Sequence, residues 1–297
     1  MSRAHRLCAF SYCLLGFVAL SGDLQVLATL ALRDDRFTHI LFIPIISALL
    51  ILRNRATVFS RPAASLLPAF AAIASALLSY IAANVAGDAF RLSFAGLSAI
   101  LFVLAGFLLL IRVESAAFPI LVLFLAVPLP IPVVEVAVNV LQSASASLAA
   151  ILFRILGIPV HHRDFALMLP GLTLEIAPEC SGIRSTIAML ILSAVTGHIF
   201  LRKNVNRALL VLAAVPIAIL KNALRIVLIS VLGIYVSPAF LHGSLHRYSG
   251  LVLSPVGFFL VFVLLLFLRH VEWTIRLRGV GKPLFPSGTA RSHAEVV

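Results

Sequence analysis

Charge is scarce in this chain. Only 11% of its 297 residues are Asp, Glu, Lys or Arg, while 62% are hydrophobic. Water-soluble domains carry about a quarter charged residues, because their surfaces need them. A soluble globular domain is therefore excluded, and the mean hydropathy of +1.13 agrees. The same figures exclude a disordered chain. Cysteine is equally sparse. Cys8, Cys13 and Cys180 are too few to staple a secreted scaffold, and the first two lie in an apolar run where they read as packing residues. Acidic residues are rarer than basic ones, 11 against 23, for a net charge of +12. This excess does not mark a nucleic-acid binder. The bases sit between long apolar runs, where they orient helices against anionic lipid and the insertion machinery. The composition is that of an integral membrane protein, with membrane lipid as its partner and no nucleic acid.

A spanning helix needs about 20 apolar residues, with a range of about 17 to 25. The apolar runs Leu7–Leu20 (continuing, with a kink, to Leu32), Phe37–Leu52, Leu66–Ala83, Leu92–Ile111, Phe118–Val127 extending to Pro132, Ile183–Leu201, Ala208–Tyr235 and Gly250–Leu268 meet or approach that length. Met1–Arg6 and the run from Leu7 have the outline of a signal peptide, but no small-residue cleavage site follows, so the run reads as a retained first helix. The expected fold is an all-α polytopic membrane protein of about eight transmembrane helices, forming one domain over residues 1–297. With the N-terminus inside, the predicted inner loops collect most of the bases: Arg3 and Arg6; Arg53, Arg55 and Arg61; Arg112; Arg202, Lys203 and Arg207. Residues 269–297 then form a short basic cytoplasmic tail. Both termini are expected in the cytoplasm by this bias.

The largest expected outer segment runs from about Ile131 to Ser181. Val133–Leu156 mixes Glu135, Asn139, Gln142 and serines with aliphatics, as an amphipathic or re-entrant helix does. The stretch GIPVHHRDFALMLPGLTLEIAPEC alternates apolar and polar residues on either side of Pro170-Gly171, a hairpin signal. Such strands belong outside the hydrocarbon, where open sheet edges find water, and this hairpin leads directly into Cys180.

Several polar residues stand where lipid disfavours them. A charge near the bilayer centre costs about 2.5 to 3.5 kcal/mol on insertion scales, yet the seventh run holds Lys221, Asn222 and Arg225. Arg225 lies about 26 Å along that helix from Ala208, near its outer end, and shares a face with Asn222. Cys180 precedes the sixth run by two residues, at a helix N-terminus where the dipole favours a thiolate, with Ser181 beside it and the positive charge of Arg184 one turn on. His242 and His246 stand at i and i+4 just before the eighth run. Singly, each has a structural explanation: packing, snorkelling or an interfacial position. Together, Cys180, Arg225 and His246 are expected at one depth on one side. His161, His162, His242 and His246 lack a Cys or carboxylate at ligand spacing, so no metal and no cofactor are expected.

A thiolate at Cys180 can attack a carbonyl to form a thioester, Arg225 can clamp the developing negative charge, and His246 can act as general base or oxyanion stabiliser. Water or another amine would then resolve the thioester, and residue chemistry leaves protease and transpeptidase both open. A non-catalytic transporter or exopolysaccharide-export subunit is the alternative. It would favour midplane charges and inverted repeats, but no internal repeat is present. A structural scaffold is the third option and gives no reason for the setting of the thiol.

The segments PECSGIRS (178–185), KNALRIVLI (221–229) and HGSLHRYSG (242–250), in that order on successive apolar runs, together with DDRFTHILFIP (34–44), resemble the exosortase/archaeosortase family. The resemblance covers most of the chain. It implies a membrane cysteine transpeptidase acting on exported proteins that end in a sorting signal: a short Pro-containing motif of the PEP-CTERM kind, a transmembrane helix and a basic cluster. Cleavage near the motif would transfer the protein to a surface acceptor of unspecified chemistry, from an active site on the extracytoplasmic face. By motif position the catalytic residues implied are Cys180, Arg225 and His246, supported by Arg184, Asn222, Ser181 and His242. Many members carry an acidic residue after that His where this chain has Arg247, and His242 stays the alternative to His246.

Overall fold

The computed structural model describes residues 20–59, 66–109, 113–237 and 244–280, together with Ser11, Val18 and Phe240; the side chains of 113–115, Glu179, 244–251 and 276–280 are not among those described. The helices are α1 (Ser21–Arg33), α2 (His39–Arg53), the single turn α3 (Arg55–Val58), α4 (Leu67–Val85), α5 (Asp88–Leu108), α6 (Val113–Phe124), α7 (Ile131–Ile155), α8 (Ile183–Phe200), α9 (Asn204–Tyr235) and α10 (Ser244–Val280). Among the described residues seven helices are long and apolar enough to cross a membrane: Asp35–Arg53 (α2 with the 3-10 turn before it), α4, α5, α7, α8, α9 and Val252–Ile275 of α10. The chain is thus a multi-pass, almost wholly helical membrane protein.

These seven differ from the eight expected runs in three places. The run Leu7–Leu20 falls largely outside the described residues, and only its continuation appears, as α1. The run Phe118–Pro132 gives a helix that stops at Phe124, because Pro128, Pro130 and Pro132 each lack an N–H and push the residue before them out of helical geometry. Gly96 of α5 makes room for that break: a Cβ there would lie 2.8 Å from Pro128 Cδ. The third difference corrects the expectation for Val133–Leu156. That segment is not an amphipathic or re-entrant helix outside the spans but part of α7, 25 residues from Ile131, with Pro132 in the first turn, that are long and apolar enough to span. Its Glu135 and Asn139 stay exposed, while Val134 and Val138 pack with Ile40, Ile43 and Ile100.

Helix pairing follows small residues, as expected where lipid removes the hydrophobic drive to associate. In the α4–α5 hairpin Ala69, Ala72 and Ala76 are buried, and Ser79 Oγ and Ser98 Oγ donate across the pair to Phe94 O and Ala76 O at 2.9 Å each. The long helix α9 is the central element. Its first half packs Leu210, Ala214 and Ala218 against Met189 of α8 and Val261 and Leu265 of α10. Its second half packs Ala223, Ile226 and Val227 against Ala146, Ala149 and Phe153 of α7.

The expected hairpin is a three-stranded antiparallel meander: β1 (His161–Arg163), β2 (Ala166–Leu169) and β3 (Leu172–Glu175). Residues Leu167 and Leu174 are partners in the β2–β3 register, and the turn falls at Pro170-Gly171, where Gly171 adopts φ +76°. Leu167 and Leu169 are buried against the second halves of α7 and α9, so the sheet caps one end of the bundle.

Candidate active site

The sheet hands the chain to the site through Ile176. Its amide N–H donates to Phe165 O at 2.9 Å, and its carbonyl accepts from Nε2 of buried Gln142 on α7. A 3-10 turn over Pro178–Cys180 follows, and Cys180 N donates to Ala177 O at 2.8 Å. Ser181 is 2% exposed, and its hydroxyl accepts from Ile183 N at 3.4 Å, at the start of α8. Between them Gly182 takes φ +79°, a left-handed conformation that L side chains rarely adopt. A Cβ on Gly182 would stand 3.1 Å from Asn222 Cγ and 3.3 Å from Asn222 Oδ1. The glycine therefore serves twice, for backbone conformation and for the close approach of α9.

Adjacent residues of α9 grip this segment. Asn222 Nδ2 donates to the Cys180 carbonyl oxygen at 2.7 Å. Lys221 Nζ donates to Ser185 Oγ at 2.6 Å, and Ser185 Oγ in turn donates to Gly182 O at 2.9 Å. Both α9 residues are buried, Lys221 at 2% and Asn222 at 1% exposed. Three residues beyond Asn222, Arg225 faces the same way, and Cys180, Asn222 and Arg225 together line one cleft whose apolar walls come from Leu174, Ile176 and Ile229. Its free volume is about 30 Å³, roughly the share of one water molecule.

The other expected site residues are placed differently. Arg184 is turned outward, its side chain 60% exposed and paired with Asp35 Oδ2 at 2.9 Å. Its charge is therefore balanced by a carboxylate in solvent and does not act as an unscreened cation beside the thiol. His242 lies outside the described residues. His246 is on the first turn of α10, its side chain outside the described set. On helical rise, His246 stands about 16 Å along α10 from Gly257, whereas Arg225 stands about 6 Å along α9 from Lys221. A Cβ on Gly257 would be 3.4 Å from Lys221 Cδ, so these two residues are level. By helical rise His246 therefore lies at the Cys180 end of the bundle, farther toward that end than Arg225. Among the described residues no three His, Cys, Asp or Glu gather as a metal-ligand set; His162 Nε2 is 2.8 Å from Asp164 O.

Gly182, Ser185 and Lys221 were not singled out as site residues by sequence reasoning, and neither was the pairing of Arg184 with Asp35. The local signals were a glycine directly after Cys-Ser, the residue type that takes a left-handed conformation without strain, and a lysine inside an apolar run.

No curated protein and no solved structure matches the chain. The profile of the transmembrane exosortases matches residues 27–267, about four-fifths of its length, and includes every residue of the cleft. This chain belongs to the transmembrane exosortase family.

Proposed function

We propose that this protein is a membrane-embedded cysteine peptidase and transpeptidase that processes exported proteins at a C-terminal sorting signal. The signal consists of a short Pro-containing motif, a transmembrane helix and a basic cluster, and the processed protein passes to a surface acceptor. The observation that carries this reading is the common cleft of Cys180 and Arg225, with Asn222 holding the backbone of one and preceding the other by a helical turn.

The thiolate of Cys180 attacks the scissile carbonyl carbon, and the negative charge forming on oxygen is met by the Arg225 guanidinium, a planar donor that keeps its proton. The C–N bond then breaks. The departing amine takes a proton from His246, and the acyl group stays on sulfur as a thioester. An acceptor amine or water, losing a proton to the now neutral His246, attacks that thioester, the C–S bond breaks, and the thiolate and the protonated His246 are both restored. Asn222 is a positioning residue: it fixes the Cys180 carbonyl and the sulfur with it.

In this reading the sheet end of the bundle is extracytoplasmic. The bases near the opposite helix ends, Arg53, Arg55, Arg202, Lys203 and Arg207, then face the cytoplasm with both termini and the basic tail, in accord with the positive-inside bias. The test is co-expression with an exported reporter carrying such a C-terminal signal. The reporter is expected to lose its signal with this chain and to keep it with Cys180→Ala. Equal processing by Cys180→Ala would remove the thiol from the mechanism.

A further inference from the structure

A second cavity lies at the end of the bundle opposite Cys180. The helix α8 separates the two, about 26 Å from Ile183 to Phe200 at 1.5 Å per residue. The cavity holds about 740 Å³, between the end of α8, the start of α9 and the last turns of α10. Its polar wall carries three guanidinium groups, Arg202, Arg207 and Arg269, beside the imidazoles of His198 and His270.

One carboxylate, Glu272, also lines it, and this group is spent on structure. Its oxygens accept from Arg202 N and Lys203 N at 2.9 Å each and from Asn206 Nδ2 at 2.8 Å, capping the start of α9. Arg207 is partly spent as well, donating to Leu201 O at 2.9 Å and Asn204 Oδ1 at 3.2 Å. Among the described residues no acidic side chain pairs with Arg202 or Arg269. The Arg269 guanidinium is held 5.9 Å above the Phe200 ring, which fixes its position without neutralising it. The remaining wall is apolar: Ile199, Leu266 and the exposed ring of Trp273.

Cations converging on a cavity with one apolar side, where membrane-spanning helices end and a Trp marks the interface, match the form of an anionic headgroup site. We propose that this cavity binds the phosphate of an anionic phospholipid, with Arg202 and Arg269 on the phosphate and the acyl chain along Leu266 and Trp273. Guanidinium suits a phosphate because its planar fork donates to two oxygens at once. The site is separate from Cys180 and does not depend on the catalytic reading.

The full-length chain in detergent is titrated with phosphatidylglycerol, phosphatidylcholine and inorganic phosphate, and bound lipid is counted by native mass spectrometry. Phosphatidylglycerol is expected to bind, and Arg202→Gln with Arg269→Gln to weaken it about tenfold or more, the loss expected for charge-assisted bonds. Arg53→Gln with Arg55→Gln removes two bases from α2 and α3 at the same end but not from the cavity, and is expected to leave binding unchanged. Competition by millimolar inorganic phosphate would retain the phosphate site and assign it a soluble source; its failure to compete supports the lipid. Equal loss in both double variants, or equal binding of phosphatidylcholine, would overturn the proposal. A photoreactive residue replacing Trp273, which leaves both arginines intact, is expected to capture phosphatidylglycerol; exclusive capture of phosphatidylcholine from an equal mixture would contradict it.

Discussion

The side-chain amide of Asn222 donates to the main-chain carbonyl of Cys180 across 2.7 Å, joining the middle of α9 to the turn that precedes α8. The side chain of Asn222 is almost wholly buried, so this bond is shielded from water and competes with no solvent. Its effect is to tie the position of one sulfur to the helix that also carries Arg225. The following expectations rest on that tie.

Replacing Cys180 by Ser or Ala is expected to reduce signal processing on the order of 10³-fold or more, with the protein still folded in the membrane. Reporter cleavage and membrane abundance, measured on the same cells, separate loss of chemistry from loss of protein.

Arg225→Lys is expected to act as a severe substitution. A point charge replaces a planar donor, and loss of one oxyanion donor costs about 10²- to 10³-fold in rate. Full processing by Arg225→Lys would contradict the clamp role.

Gly182→Ala is expected to destabilise the protein by about 1 to 2 kcal/mol, the cost of a left-handed conformation in a residue with a Cβ. The new methyl also meets Asn222, 3.1 Å away at Cγ. Thermal unfolding in nanodiscs reads the stability, and a fall in processing larger than the unfolded fraction reads the displaced Asn222.

Lys221 and Ser185 give a prediction of unequal signs. Ser185→Ala removes the hydroxyl 2.6 Å from Lys221 Nζ and leaves a buried amine without that partner, at a cost of about 1 to 3 kcal/mol. Lys221→Met removes the buried polar group itself and is expected to be neutral or stabilising. Thermal denaturation of the two variants side by side decides it; a larger loss for Lys221→Met would show that the amine holds more than Ser185.

Sidedness is open to direct labelling. In a Cys8→Ser, Cys13→Ser background, a membrane-impermeant thiol reagent added outside intact cells is expected to modify Cys180. Modification only after permeabilisation would invert the proposed orientation.

Much of this was legible in the residues, and what was not has identifiable causes. Runs of apolar residues located α2, α4, α5, α8 and α9 to within a few positions, because length and hydropathy alone decide a span. The Pro170-Gly171 turn was legible for the same local reason, a glycine where a left-handed residue is needed. β1 was not, since His161, His162 and Arg163 carry no apolar alternation of their own; the strand forms by pairing with β2 and packing on α7. α7 was read as amphipathic or re-entrant because Glu135, Asn139 and Gln142 dilute its hydropathy. In the fold the first two are exposed, while Gln142 is buried on Ile176 O, a partnership between residues 34 positions apart that no local pattern records. The pairing of Arg184 with Asp35 is a long-range relation of the same sort. Asn222 and Arg225 could be singled out because each is costly in lipid, and Cys180 because it stands at a helix start beside a basic residue, but their shared cleft depends on how α8 and α9 pack.

The central claim is that the Cys180 sulfur carries the acyl group of a cleaved protein. Purified full-length enzyme is incubated with a signal-bearing substrate, quenched in acid, and Cys180 is sought by peptide mass spectrometry. The expected result is a hydroxylamine-sensitive adduct on Cys180 equal in mass to the substrate upstream of the cut, absent from Cys180→Ala. Cleavage that proceeds at full rate with no adduct on Cys180, and that survives Cys180→Ala, would contradict it.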